Sequence, residues 1–230
     1  MAGVGARPRL LVLTSTFPRW AGDREPPFVF ELSRRLAAAD FEVHVLAPHA
    51  PGTQREETLD GLTVHRFRYA PQRLQQLAYE GGILARLRER RWRLALVPCL
   101  LVGQWWALRR LLRQQRFDVL HAHWLIPQGL IAALAGRGLP LLCTSHGGDL
   151  FGLRGRLLTL LKRAVLARCD GVTVVSTAMR DEVARIAPGT AVDVIPMGTD
   201  LAGCFTPAPE VARQADSIVF AGRLVEKKGV

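Results

Sequence analysis

The chain has 230 residues, 49% of them hydrophobic and 22% charged, a composition that can bury a substantial core and excludes disorder. Lysine and arginine number 31 against 20 acids, a net charge of +11, so nucleic acid, an anionic membrane surface and phosphorylated substrates are the partners to weigh. Cys99, Cys143, Cys169 and Cys204 lie far apart with no C-x-x-C, which excludes a zinc ribbon or disulfide scaffold and reads as buried thiols in a reduced, cytoplasmic compartment.

The N-terminal stretch lacks the apolar run and cleavage site of a signal peptide. Arg9 to Thr14 reads as a first strand, followed by a Pro- and Gly-containing loop, Ser15 to Pro27. A helix is expected over Phe28 to Ala39, with Phe28, Leu32 and Leu36 on one face. Phe41 to Leu46 and Leu62 to Phe67 alternate as strands, and helical patterns fill Gln72 to Arg91 and Cys99 to Gln115. Leu94 to Leu108 is the most apolar stretch, yet Pro98, Gly103 and Gln104 interrupt it and it is too short to span a bilayer. From Ile83 to Arg116 there are nine arginines and one acid, Glu89. An apolar, tryptophan-bearing segment framed by arginines suits either a peripheral contact at the inner face of a membrane or a buried helix with solvated ends.

Strands then alternate with helices. Strands are expected over Asp118 to His121, Leu139 to Thr144, Gly171 to Val175 and Ala191 to Ile195. Helices are expected over Gln128 to Ala135, Leu153 to Ala167 and Ala178 to Ile186. This is the signature of an α/β fold with a doubly wound, parallel Rossmann-like sheet. After Pro196 the texture becomes turn-rich, and Ser217 to Phe220 reads as a fresh strand leading into GRLVEKKG. The expected organisation is therefore a Rossmann-like domain over 1–200, a linker over 201–216 and the beginning of a second such domain over 217–230.

Four segments carry chemistry. GRLVEKKG follows a strand and opens a helix, so Arg223 and Lys228 together with backbone N–H groups suit a diphosphate. HAHW, containing His121 and His123, sits at a strand's carboxyl end, where doubly wound sheets hold ligands. SHGGD sets His146 and Asp149 on a strand-to-helix loop; Asp149 suits a helix cap, and His146 a hydrogen bond to a hydroxyl or carbonyl oxygen. His121, His123, His146 and Asp149 also suit a hydrolase zinc site. The long first loop offers Arg19, Trp20 and Gly22 for substrate recognition. His44 and His65 lie inside strand patterns and read as structural. No P-loop and no G-x-S-x-G elbow occurs.

In order, TSTFPRWAGDREPPFVFEL, DVLHAHWLIPQG, TSHGGDL, DGVTVVS, VIPMGTD and FAGRLVEKKG resemble the family-4 retaining glycosyltransferases of GT-B fold. The resemblance implies two Rossmann-like domains, the first on the acceptor side and the second binding a nucleotide-sugar donor. It implies transfer with retention to a lipid-linked or saccharide acceptor in glycan biosynthesis, with no metal or other cofactor. Residue by residue, Arg223 and Lys228 match the pair at the leaving diphosphate, His146 the catalytic-cleft histidine, and Gly22 the loop near the donor phosphates, here without an adjacent glycine pair. Arg19, Trp20, His121, His123 and Asp149 fall on the acceptor side. The family's E-x7-E motif belongs beyond Gly229, so the chain alone is expected to have no turnover. The competing expectation is a basic module that binds nucleic acid or membrane without catalysis. The clustering of arginines around an apolar segment favours a membrane, and no nucleic-acid partner is expected.

Overall fold

Arg9–Leu13 (β1) sends alternate side chains into two cores, Leu11 and Leu13 into one and Leu10 and Val12 into the other, as a strand buried on both faces must. The computed structural model describes residues 7–23, 25, 27–79, 81–201, 203, 205–206, 210 and 216–222. After β1 come α1 (Phe28–Ala38), β2 (Glu42–Pro48), β3 (Glu56–Leu59), β4 (Leu62–Phe67), α2 (Ile83–Glu89) and α3 (Leu96–Gln114). Then follow β5 (Val119–His123), α4 (Leu130–Ala135), β6 (Leu141–Ser145), α5 (Gly148–Gly152), α6 (Arg156–Arg168), β7 (Gly171–Val174), α7 (Thr177–Ile186) and β8 (Asp193–Val194).

The strands form one sheet in the order β3-β4-β2-β1-β5-β6-β7-β8, parallel throughout except for β3. The α/β doubly wound expectation therefore holds. From β1 the chain steps one way to β2, and from β4 it crosses back to β5 and continues the other way. Right-handed crossovers then put α1 on one face, where Val29 joins Val12, Val43 and Val45. They put α3, α4, α6 and α7 on the other, where Leu108, Ile131, Val165 and Val183 join Leu11, Leu120 and Cys143. The reversal between β1 and β5 opens the crevice at their carboxyl ends.

Several sequence expectations are corrected. β3 was not expected; it pairs with β4 through Asp60 and Gly61, both at positive φ (47° and 80°), the Asp-Gly turn of a hairpin. The single helix expected over Gln72 to Arg91 is a short 3-10 turn, Gln72–Leu74, and then α2. Gly81 and Gly82, with φ of 104° and 87°, lie in a region no helix passes through. The helix expected from Leu153 begins instead at Arg156, after Gly155 (φ 118°), as α6, and α5 before it was not expected. The buried centre of α1 is Val29 and Ser33 rather than Phe28 and Leu32; burial of Ser33 is matched by its hydroxyl bond to the Val29 carbonyl, 2.8 Å. His44 and His65 are buried and hydrogen-bonded, 3.1 Å between ring nitrogens.

The chain divides into units 1–198 and 199–230. In the second, Asp200 accepts from Gly203 N at 2.8 Å and Phe205 N at 3.0 Å. Ser217 to Phe220, expected as a strand, does not form one, and Ile218 and Val219 face solvent. Among the described residues no helix is long and apolar enough to cross a membrane.

Candidate active site

Three strand ends meet at the crevice: β1 with its loop to α1, β5 running into Trp124, and β6 running into Ser145 and His146. Parallel pairing sets the levels, with Leu13 beside Ala122 and His123 beside Thr144. Trp124 has φ +74° and ψ 134°, a costly conformation for an aromatic residue, held only where its surroundings dictate it. Here Trp124 N donates to the Thr144 carbonyl at 2.7 Å, and its own carbonyl accepts from Gly129 N at 3.0 Å. Its ring lies 5.0 Å from His146 and 6.0 Å from Phe28, and Phe28 lies 4.7 Å from His146. Two aromatic rings and an imidazole thus form the wall of the crevice, a surface that can hold the apolar face of a sugar or of an organic acceptor.

Beneath that wall is a buried polar layer. His123 Nδ1 and His146 Nε2 are 2.9 Å apart, with the rings stacked. His121 Nε2 is 2.8 Å from Thr144 Oγ1, which is 2.7 Å from Thr173 Oγ1. Gln128, oriented to satisfy both neighbours, donates to the His123 carbonyl and accepts from Ser15 N, each at 3.1 Å, tying the β1 loop to β5. Asp149 accepts from Leu125 N at 2.6 Å and from Ser145 Oγ at 2.7 Å, joining the loops after β5 and β6. Gly147 between them has φ +92°, a turn that a side chain would strain.

Burial sets the electrostatics. It pushes His121 and His146 down to about 4, the neighbouring His146 adding to the effect on His121. His123 is held well below its ordinary value by burial and then by the other two histidines. At neutral pH all three are therefore uncharged, able to give or take a hydrogen bond without demanding a counter-ion. Burial raises the Asp149 carboxyl, opposed by its bonds from Leu125 and Ser145.

The residues expected from sequence are distributed as follows. His146 is half-buried at the crevice wall. His121, His123 and Asp149 lie beneath it, at most 4% exposed, where they orient the wall rather than form its surface. Among the described residues no group of His, Cys, Asp and Glu is arranged to hold a metal ion; the four residues of the zinc reading bond to each other and to their neighbours instead. Arg19 grips Asp23 with two bonds of 2.8 Å and lies over the Trp20 ring at 4.5 Å. Trp20 is exposed, with its ring near Gly52. Gly22 has φ +77° with open space beside it. Arg223 and Lys228 lie outside the described residues.

Phe28, Trp124, Gln128 and Arg66 were not read from sequence as site residues. Periodicity puts Phe28 on one helix face with Leu32 and Leu36, and Trp124 sits at a strand end, where periodicity gives no sign of direction. Arg66, buried on β4, bonds Glu57 at 2.8 Å, Tyr79 Oη at 3.2 Å and the Pro18 carbonyl, so it anchors the first loop. Tyr79 in turn donates to the Pro48 carbonyl, and burial pushes its phenol up to about 12. Arg66→Met is expected to cost about 3 kcal/mol, as for loss of one partner of a buried pair, and to speed proteolysis of the loop over 15–27. A urea melt within about 0.5 kcal/mol of wild type would remove Arg66 from this role.

The profile of Glycosyltransferase Family 4 matches residues 27–202. No curated protein matches the chain significantly. The fold is similar to a sucrose-phosphate synthase from Thermosynechococcus elongatus, with TM-score 0.58 and 17% identity, covering 84% of this chain and 90% of that one. It is also similar to Os79 from O. sativa in complex with UDP (TM-score 0.50, 12% identity, 81% of this chain and 51% of that one). A second Os79 structure, with UDP and deoxynivalenol-3-glucoside, gives TM-score 0.52, 12% identity and coverage of 81% and 52%. The chain spans about half the length of the Os79 structures. At these identities the likeness is one of fold, the Rossmann-like sheet of GT-B glycosyltransferases. With the matched region running from the start of α1 past β8 and through every strand end of the crevice but that of β1, the chain belongs to Glycosyltransferase Family 4.

Proposed function

We propose that this chain forms the acceptor side of a retaining glycosyltransferase, which moves a sugar from a nucleotide-sugar donor to a lipid-linked or saccharide acceptor. The observation that carries the reading is the Phe28, Trp124 and His146 wall at the sheet's reversal point, in a chain of this family. Stacking rings with a neutral imidazole suit a sugar, whose faces are apolar and whose rim is hydroxyl. The UDP in the Os79 structures supports a nucleotide donor. In this reading 1–200 is the acceptor-side domain, 201–216 the linker and 217–230 the opening of the donor-binding domain.

In the reaction the bond from the sugar's anomeric carbon to the diphosphate breaks, a bond to the acceptor oxygen forms, and the acceptor hydroxyl's proton passes to the departing diphosphate. His146, uncharged and held by His123, hydrogen-bonds the transferred sugar. Arg223 and Lys228, assigned on resemblance alone, would neutralise the departing diphosphate; Gly22 would lie near its phosphates, and Arg19 and Trp20 near the acceptor. No resident metal is needed for these roles.

The test has two arms. This chain alone should show no transfer; when it is joined to a donor-binding domain, transfer from UDP- or GDP-sugars to saccharide and glycolipid acceptors should fall about a hundredfold or more in His146→Ala, with the product's anomeric configuration matching the donor's. Independently of turnover, a saccharide acceptor should quench Trp124 emission, and Trp124→Phe should abolish that change. A saccharide titration that leaves the emission unchanged, or a two-domain form without transfer, would overturn the reading.

A further inference from the structure

The inner face of α3 is Leu96, Leu100, Gln104, Leu108 and Leu111, all buried. Residues two positions further on point the opposite way. Those are Pro98, Val102 and Trp106, followed by Arg110 and Arg113. Val102 is 54% and Trp106 58% exposed, and in the turn just before the helix Trp92 is 45% and Leu94 55% exposed. A helix that is apolar on two sides is ordinarily covered on both. No described residue covers this outer stripe.

Cations close both ends of the stripe. Arg88, Arg90 and Arg91 precede it and Arg110 and Arg113 follow it; all are exposed and none makes an ion pair among the described residues. The one acid in the segment, Glu89, is already engaged by Arg86 at 3.0 Å and Arg93 at 2.6 Å. The surface therefore offers indole and aliphatic area at its centre and unneutralised guanidinium groups at its margins.

We propose that the outer face of α3 and the turn before it dock in the plane of an anionic phospholipid bilayer. Tryptophan at the headgroup level, aliphatic side chains just below it and arginines reaching anionic headgroups match the layers of a membrane interface. A nucleic acid would use the arginines but has no use for Leu94, Pro98 and Val102. The helix leading into that turn lies against the segment after the crevice wall: a Cβ on Gly152 of α5 would lie 2.9 Å from Leu84 of α2, and α5 begins two residues after His146. A lipid-linked acceptor would thus leave the bilayer beside the site, a corollary that rests on the transferase reading, whereas the docking itself does not.

The 230-residue chain is titrated with vesicles of phosphatidylglycerol and phosphatidylcholine, with phosphatidylcholine alone, and with a single-stranded oligonucleotide. Binding to the anionic vesicles should be at least about tenfold tighter than to the neutral ones and weaken with salt. Arg110→Ser with Arg113→Ser should weaken it about 25-fold, about fivefold per arginine. Trp92→Ser with Trp106→Ser should weaken it about tenfold. Brominated lipid should quench the wild-type tryptophan emission, a readout that needs no variant. Failure to prefer anionic vesicles, absence of quenching, or oligonucleotide binding that is tighter than vesicle binding and indifferent to the tryptophan changes would overturn the proposal. No sugar enters this experiment, so its failure and that of the transferase reading are separable.

Discussion

Between pH 6.5 and pH 4 the chain is expected to lose about 3 kcal/mol of folding stability through His121 alone. In the unfolded chain His121 takes up a proton near its ordinary value of 6.5, while in the folded chain burial delays this to about 4. Its contribution is therefore complete above 6.5 and falls away as the pH approaches the folded value. His146, also lowered to about 4, and His123, lowered well below 6.5, act in the same direction. Asp149 works oppositely: its raised carboxyl binds a proton more tightly in the folded state, which partly offsets the loss at the acid end. Urea melts at pH steps across this range should show midpoints falling steeply. His121→Gln should reduce proton uptake on unfolding by about one proton. A midpoint that is flat from neutrality to pH 4.5 would mean that the histidines are not sealed beneath the crevice wall.

That layer is also where sequence and structure part company. The alternation of short apolar runs with helical patterns was enough for the parallel sheet, because strands buried on both faces are continuous apolar runs and crossover handedness does the rest. Strand ends such as HAHW and SHGGD could be placed in the crevice for the same reason. What one dimension cannot carry is the direction in which each side chain of such an end points. His121 and His123 face the sheet's polar layer, bonded to Thr144 and to His146, and only His146 reaches the wall. Arg66 was illegible because its partners, Glu57, Tyr79 and Pro18, are brought to it by the hairpin and by the first loop. The hairpin was missed although its Asp60-Gly61 turn signal stands in the sequence. The arginine-framed segment was legible in composition, but which of its tryptophans face outward depended on the phase of α3, set by the burial of Leu100, Gln104 and Leu108.

Asp149→Ala is expected to cost about 4 kcal/mol and to collapse the crevice, the largest effect of any single substitution here. The carboxylate is 2% exposed, so its desolvation is costly, and it persists because Leu125 N and Ser145 Oγ both donate to it. Alanine would leave those two donors buried and unpaired, at about 1–3 kcal/mol each, and would open a small void besides. The damage is local to function: Leu125 follows the strained Trp124, and Ser145 precedes His146. Loss of their shared acceptor lets both strand ends relax, and Trp124 can abandon its positive φ. Asp149→Asn separates charge from geometry. Its amide can accept from only one of the two donors, so it should cost about half as much while keeping the void filled. Urea melts give the stabilities, and saccharide-dependent Trp124 emission reports the wall. If Asp149→Ala unfolded within about 1 kcal/mol of wild type with the saccharide signal intact, the crevice would be held by its rings and not by this carboxylate. If Asp149→Asn were as damaging as alanine, the negative charge itself, and not the two accepted bonds, would be what the loops require.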